Sequence, residues 1–167
     1  MEMIMKFNKV GYLQDLCNNY GDFKVAKSFV NKNDEVVWSK HRSVLECWSS
    51  DYGLRFLETA NHRQILIIEI ILDYDFKLTL LSKLIIKKEL LKRGYDYVSF
   101  HTGSKGIHVH IFDKSLGTMS RYKREQVREG VITVCGAELM KKSDKCMISM
   151  PYTPHWKSGK MPTEVEL

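Results

Sequence analysis

The chain has 167 residues, of which 44% are hydrophobic and 28% are charged, and its formal net charge is +6. This composition predicts one globular domain with its own core, excludes a disordered or fibrous chain, and favours an anionic partner such as nucleic acid. The most apolar run, residues 65–72, contains Glu69 and is far shorter than the roughly 20 residues of a membrane span.

The first sixty residues predict helices. Residues 12–21, 23–30 and 41–60 are the three candidate helices, and the first of them ends at a glycine. The segment Glu-Val-Val-Trp at residues 35–38 predicts a short strand between them. We therefore expect a helical N-terminal portion ahead of an α/β core.

The strands and helices of the core are easier to recognise. Residues 64–72 predict a buried strand, and residues 77–94 predict an amphipathic helix that ends at Gly94. The apolar positions that define the amphipathic pattern of this helix are Leu78, Leu81, Leu84, Ile85 and Leu91. The remaining predicted elements are strands over 96–101, 107–112 and 145–150, a turn over 102–106 and a basic helix over 120–134.

The order β-α-β-β-α-β predicts the fold class. It fits an α/β (α+β) fold with a ferredoxin-like or RNA-recognition-like sheet, with both helices on one face. Functional residues can then line the open face of the sheet. The whole chain, residues 1–167, is expected to form a single domain with a catalytic core over residues 63–162.

The chain start and the cysteines predict the cellular compartment. The chain start lacks the layout of a secretory signal, and the four cysteines form no CxxC pair. An intracellular, cytoplasmic protein with reduced thiols is therefore expected, with neither a zinc site nor a disulfide framework.

Two aspartates end the first core strand. Asp73 and Asp75 are two residues apart, so both side chains share a face in an extended chain. Paired carboxylates are the oxygen ligands that hard divalent cations prefer, and they can hold two metal ions for nucleotidyl transfer. Glu69 lies four residues earlier and would share their face. Spacing alone equally allows two solvated turn aspartates.

A glycine-rich basic turn follows at residues 102–106. Its glycines permit positive φ and close approach of a ligand, and its N–H groups can form an anion-binding concavity. His108 and His110 follow on one face of the next strand. A triphosphate could be held there, although a plain hairpin turn also fits. The groups that would hold it are Thr102, Gly103, Ser104, Lys105 and His108.

The run TGSKGIHVHIFD, residues 102–113, resembles the second signature of the archaeo-eukaryotic primase superfamily. It is particularly similar to the SGSKGLH run in polymerase domains of bacterial end-joining ligases. The order of an acidic pair, a helix and a histidine motif agrees with that family, and Glu138 is the best-placed third acidic residue. The tail resembles the family's closing segment at Pro151, Tyr152, Thr153, His155, Lys157, Ser158 and Gly159.

This resemblance implies a DNA primase or primase-polymerase that carries out template-dependent nucleotidyl transfer from nucleoside triphosphates. It implies a DNA template and, as candidate partners, a primase large subunit or a helicase. Asp73, Asp75 and Glu138 would be catalytic and would bind Mg²⁺ or Mn²⁺. His155 and Lys157 would join the triphosphate-binding groups of the basic turn. Template phosphates would be contacted by Arg121, Lys123, Arg124 and Arg128, which equally fit a solvated helix face.

Two other hypotheses stay open. The His-Val-His pattern and Tyr122 fit, loosely, a replication-initiator endonuclease with a tyrosine nucleophile. That hypothesis leaves the GSKG turn and the tail unexplained. The altered acidic motif, with Glu138 in place of the usual aspartate, favours a degenerate primase-like module that binds nucleic acid or a partner subunit.

Overall fold

A computed structural model describes residues 24–38, 42–43, 54–57, 69–103, 105–143, 148–149, 160 and 162–167. Within these residues the chain forms two antiparallel sheets and two α-helices. The first sheet joins β1 (Lys24–Val30), β2 (Val36–Trp38), β3 (Arg42–Ser43), β4 (Leu54–Leu57) and β8 (Ile148–Ser149). The second sheet joins β5 (Glu69–Tyr74), β6 (Asp96–His101), β7 (Ile107–Phe112) and β9 (Thr163–Val165). The helices are α1 (Leu80–Lys92) and α2 (Arg121–Val134).

The described part of the N-terminal portion is made of strands, so the prediction of helices there is wrong. Of the helix predicted over 23–30, the described residues form β1, and the described parts of residues 41–60 are β3 and β4. A hairpin turn explains the difference, because Asn31 Oδ1 accepts hydrogen bonds from the backbone N–H groups of Asn33 and Glu35. This turn lets β1 pair with β2. The predicted strand at 35–38 is confirmed, and the helix predicted over 12–21 lies outside the described residues.

The β-α-β-β-α order of the core is confirmed, but the strand predicted to close the sheet belongs to the other sheet. β7 lies between β5 and β6 and is antiparallel to both. The segment predicted as the closing strand contains β8, but β8 pairs with β4 in the first sheet. The second sheet is completed instead by β9, which pairs with β6, and the Ser99 hydroxyl donates to the Val165 carbonyl at 2.5 Å. A two-residue strand carries no side-chain pattern that could assign it to one sheet or the other.

Both helices pack on one face of the second sheet, as the sequence predicts. Alternate residues of β5 and β7 form this core with buried side chains of α1 and α2. The side chains that α1 buries are Ile86 and Leu90, whereas Leu81, Leu84, Ile85 and Leu91 are exposed. The prediction of which α1 side chains pack against the core is therefore wrong. Residues 80–91 carry apolar side chains on nearly every side of the helix, so periodicity cannot select the packed face.

The opposite face of the second sheet is also closed to solvent, which corrects the expectation of an open face. Its side chains come from Glu69, Ile71 and Asp73 on β5 and from their cross-strand partners on β7. The buried members of this face are Glu69, Ile71, Asp73, Val98, Phe100, His110 and Phe112. Asp75, which follows β5, is exposed, whereas Asp73 on this face is buried. None of the described helices is long and apolar enough to cross a membrane.

Candidate active site

The two aspartates flank a tyrosine that fixes the end of β5. Tyr74 points to the helix side, where its buried hydroxyl donates to the Cys135 carbonyl at 2.7 Å. Side chains alternate along a strand, so Asp73 points to the other side, and Asp75 follows directly after the strand ends. The Tyr74 hydrogen bond thereby anchors the acidic segment to the C-terminal end of α2.

Glu138 reaches the same place because the chain doubles back after α2. Gly136 has a φ of 65°, and the next turn brings the Glu138 backbone N–H within 3.1 Å of the Asp73 carbonyl oxygen, to which it donates. Glu138 then begins a 3-10 helix over Leu139–Lys142. A residue 65 positions after Asp73 is thus attached directly to the strand that carries the aspartates.

The three predicted carboxylates converge. Asp73, Asp75 and Glu138 each offer an oxygen within 4.8 Å of the others; Asp73 is buried, Glu138 is half-buried and Asp75 is exposed. Burial and the nearby charge of Asp73 raise the pKa of Glu138, as expected where carboxylates repel one another. A divalent cation would relieve this repulsion, and an all-oxygen donor set suits Mg²⁺ or Mn²⁺. The residues present therefore fit the expected metal ions.

Two nitrogen-bearing side chains already face Asp73. His108 lies opposite Asp73 in the register of β5 and β7, and its Nε2 is 3.1 Å from Oδ1. That contact is close but poorly directed, so the buried Oδ1 accepts no well-formed hydrogen bond. Lys141 Nζ lies 3.5 Å from Oδ2. Burial alone would raise the pKa of Asp73, but His108 and Lys141 outweigh it and hold that pKa below its ordinary value.

The glycines of the basic turn are required by packing. A Cβ on Gly106 would lie 1.8 Å from the Tyr74 carbonyl oxygen, and one on Gly103, where φ is 83°, would lie 2.7 Å from the Lys160 carbonyl oxygen. The turn is therefore wedged between the end of the acidic strand and the C-terminal segment. Lys105 and Asp75 line the same cavity.

Part of the predicted triphosphate cradle is engaged within the turn itself. The Thr102 backbone N–H and its hydroxyl both donate to the Gly106 carbonyl, at 3.1 and 3.3 Å. The Gly103 N–H donates to Nδ1 of His101 at 3.3 Å. A bound anion would have to compete for these donors. Ser104, His155 and Lys157, the other predicted triphosphate ligands, lie outside the described residues.

A cavity of about 670 Å³ opens beside Asp75. This volume is in the ordinary range for small-molecule sites. Its walls come from the segment after Asp75, the first turns of α1 and the two ends of the basic turn. The lining residues are Asp75, Phe76, Lys77, Leu78, Lys83, His101, Lys105 and Ile107. Three lysines thus surround a space that adjoins the acidic cluster.

The basic helix contributes less surface charge than its sequence suggests. Arg124 and Arg128 are buried, and they donate to backbone carbonyls at Met119 (2.5 Å) and Glu69 (2.9 Å), respectively. The prediction that these two arginines contact template phosphates is therefore wrong, because both side chains are buried. Lys123 is exposed. Arg121 is also exposed, but its Nε lies 3.0 Å from Glu125.

Two buried polar side chains lie on the closed face behind Asp73. Neither carboxylate oxygen of Glu69 and neither ring nitrogen of His110 has a hydrogen-bond partner. Burial raises the pKa of Glu69 to about 8, despite the opposing charge of Arg128. Burial, together with the charge of His108, lowers the pKa of His110 to about 3. Both groups are therefore mainly uncharged at neutral pH, as expected for unpartnered side chains in a dry interior.

Sequence reasoning missed several side chains at the site. Lys141 follows Glu138 by three residues, the spacing of one helical turn, which is the only signal that could have found it. Phe76 and Lys77 directly follow Asp75, and Lys83 lies one turn into α1. Nothing in the sequence connects them to His101 and Lys105 across the cavity, because that proximity arises from the docking of the turn against β5.

The primase resemblance predicts this architecture: an antiparallel sheet covered by helices, with three acidic side chains gathered at the end of one strand. Two solved structures share the fold. The primase-polymerase (PrimPol) AEP domain of cyanophage S-2L superposes with a TM-score of 0.56 at 10% identity, covering 87% of this chain and 80% of that one. The polymerase domain of ligase D from Mycobacterium tuberculosis, solved in complex with DNA, gives a TM-score of 0.61 at 10% identity, covering 89% and 75%.

These likenesses show that the chain shares the fold of the two domains, as the sequence resemblance predicts. No protein-family model and no curated protein sequence matches the chain. At 10% identity the likeness lies in the course of the backbone, so the chemistry has to be argued from the side chains described above.

Proposed function

We propose that this protein is a nucleotidyltransferase of the primase-polymerase type, which adds nucleotides from nucleoside triphosphates to a strand paired with a DNA template. The observation that carries the proposal is the convergence of Asp73, Asp75 and Glu138 within 4.8 Å, on a fold shared with two such domains. The lysine-lined cavity beside Asp75 provides a space for the triphosphate that this chemistry requires.

Asp73, Asp75 and Glu138 would hold Mg²⁺ or Mn²⁺. In such enzymes the divalent ions activate a 3′-hydroxyl nucleophile and neutralise the leaving pyrophosphate. The protein's own contribution is positioning. β5 and the Glu138 backbone hydrogen bond fix the carboxylates before substrate arrives, so little reorganisation accompanies the reaction.

The triphosphate would be bound by the positive side chains around the cavity. Lys105 and Lys83 both line it, and ammonium groups form strong charge-assisted hydrogen bonds with phosphate oxygens. His108 lies at the acidic end, next to Asp73. The exposed ring of Phe76 lies on the wall of the same cavity and offers an apolar surface for a base or sugar. Ser104, His155 and Lys157 belong to the same proposal through the sequence resemblance.

The proposal extends to partners and location. A DNA template and nucleoside triphosphates are the substrates, and a primase large subunit or a helicase is the candidate protein partner. Of the predicted template contacts, Lys123 and Arg121 are the ones on an exposed surface, so they remain the proposed phosphate contacts on α2. An intracellular location follows from this function.

A second candidate is a catalytically degenerate module with the same fold. One observation favours it: Asp73 already has two close side-chain partners, His108 and Lys141, and the ammonium group of Lys141 could offset its charge without a metal. The replication-initiator hypothesis gains no such support. His110 is fully buried, and among the described residues the histidines join no group of three metal-ligating side chains.

A polymerisation assay separates the two candidates. Purified protein is incubated with labelled deoxy- and ribonucleoside triphosphates on a DNA template, with and without a primer, in Mg²⁺ and in Mn²⁺. The proposal predicts metal-dependent incorporation that follows the template sequence. Binding of template or nucleotide without incorporation in any of these conditions would leave the degenerate module as the function.

A further inference from the structure

The ammonium group of Lys141 lies inside the acidic cluster. Its Nζ is 3.5 Å from Asp73 Oδ2, and its side chain is only 16% exposed. Its charge also opposes the rise in the pKa of the neighbouring Glu138, so Lys141 acts on two of the three carboxylates. A cation in this position offsets part of the repulsion between the carboxylates, as a metal ion would to a greater extent.

The backbone fixes Lys141 where it is. The 3-10 helix over Leu139–Lys142 starts at Glu138, whose N–H is bonded to the Asp73 carbonyl at 3.1 Å. The other end of that helix is held by Arg128, whose Nη1 donates to the Lys142 carbonyl at 3.4 Å. Both hydrogen bonds hold the main chain of this short helix, one from a backbone N–H and one from the Arg128 side chain, so the fold itself places Lys141 at the cluster.

Lys141 restricts what Asp73 can offer to metal ions. The carboxylate oxygens of Asp73 are the atoms with which it would bind a divalent ion. In this protein Oδ2 of Asp73 faces Lys141 Nζ at 3.5 Å, and Oδ1 faces His108 Nε2 at 3.1 Å. Oδ2 thus lies against a fixed positive charge, which a divalent ion at that oxygen would have to displace.

We propose that Lys141 is a resident cation of the active site, which competes with a divalent ion for Asp73 and thereby limits how tightly and how many such ions bind. This inference rests on the proposed function, because it assumes that the triad binds metal. It assigns Lys141 a positioning and charge-balancing role. Full occupancy by divalent ions requires the ammonium group to move away from Asp73 Oδ2, which makes the bound triphosphate a suitable alternative partner for Lys141.

The neighbouring Lys142 provides a matched control. It belongs to the same short helix and carries the same charge, but its Nζ lies 3.4 Å from Glu129 on α2 and its side chain is 43% exposed. General effects of losing one positive charge should therefore be the same in Lys141→Met and Lys142→Met. Only the first variant removes a cation from the acidic cluster.

The test is Mn²⁺ binding without nucleotide, measured as free Mn²⁺ by electron paramagnetic resonance and repeated with inorganic triphosphate present. We expect Lys141→Met to tighten Mn²⁺ binding at least about tenfold, because a single charge at this range shifts proton affinity of a carboxylate by about 1–3 pK units. More Mn²⁺ should bind per protein at saturation. Lys142→Met and the charge-conserving Lys141→Arg should behave like the unmodified protein.

Each outcome bears on one claim. Unchanged or weaker Mn²⁺ binding in Lys141→Met, with a far-ultraviolet circular dichroism spectrum that matches the unmodified protein, would overturn the role of Lys141 and leave the metal site intact. An equal gain in Lys142→Met would also overturn it, since the effect would then be a general charge effect. Failure of the unmodified protein and all variants to bind Mn²⁺ would refute the metal site and, with it, this inference.

Discussion

Replacement of Arg128 by methionine should destabilise the protein while leaving DNA binding by the folded molecules unchanged. The guanidinium is fully buried, its Nε donates to the Glu69 carbonyl at 2.9 Å, and its Nη1 donates to the Lys142 carbonyl at 3.4 Å. A hydrogen bond from a charged donor is worth about 1.5–3 kcal/mol, and the longer second bond adds less. We therefore expect the free energy of unfolding to fall by about 2–4 kcal/mol.

Arg121 on the same helix is the matched control. Its side chain is 46% exposed and pairs with Glu125 one helical turn away, a kind of pair worth about 0.3–0.5 kcal/mol. Urea unfolding followed by circular dichroism gives the stabilities, and fluorescence anisotropy with labelled DNA at low salt gives the affinities. Arg121→Met should barely change stability but should weaken DNA binding. A stable Arg128→Met protein with weakened DNA binding would refute the structural role and restore Arg128 as a template contact.

Three further outcomes follow from the same structure. Glu69→Gln should flatten the pH dependence of the free energy of unfolding between about pH 4.5 and 8, measured by urea unfolding. Burial raises the pKa of Glu69 from 4.5 to about 8 in the folded state, so its contribution to stability is fully present below pH 4.5 and is lost as the pH rises to about 8. An unchanged slope would contradict the burial of Glu69. Gly106→Ala should unfold the basic turn or the protein, since the new Cβ would meet the Tyr74 carbonyl; a normal melting temperature would contradict that packing. His108→Ala should weaken triphosphate binding in Mn²⁺ by roughly 1.5–3 kcal/mol in calorimetric titration and should spare DNA binding. Wild-type affinity for triphosphate would mean that His108 serves Asp73 alone.

The sequence predicted the acidic cluster well because two independent constraints agree there. Alternation along a strand puts Asp73 and Asp75 on one side, and the family resemblance supplied Glu138, which no local pattern connects to β5. The hydrogen bond from the Glu138 backbone to Asp73 shows why: their proximity depends on where the chain turns after α2. Lys141 was missed for the same reason, since its neighbours in space are remote in sequence.

The failures have physical causes that single-sequence patterns do not contain. The Asn31 turn determines that the segment before it pairs as a strand, and the exposed leucines of α1 hide which side of that helix meets the sheet. Arg124 and Arg128 look like surface charges until their backbone acceptors are known. In each case a tertiary contact overrides the local preference.

Incorporation by an Asp75→Asn variant tests the central claim most directly. Asp75 is the exposed member of the triad, so its loss should leave the fold intact, and Asp96→Asn is a control at the opposite end of the same sheet. Primer extension in Mn²⁺, read together with Mn²⁺ binding, is the measurement. We predict that Asp75→Asn abolishes extension and weakens Mn²⁺ binding, while Asp96→Asn retains both. Extension by Asp75→Asn at the rate of the unmodified protein would contradict the assignment of this cluster as the catalytic metal site.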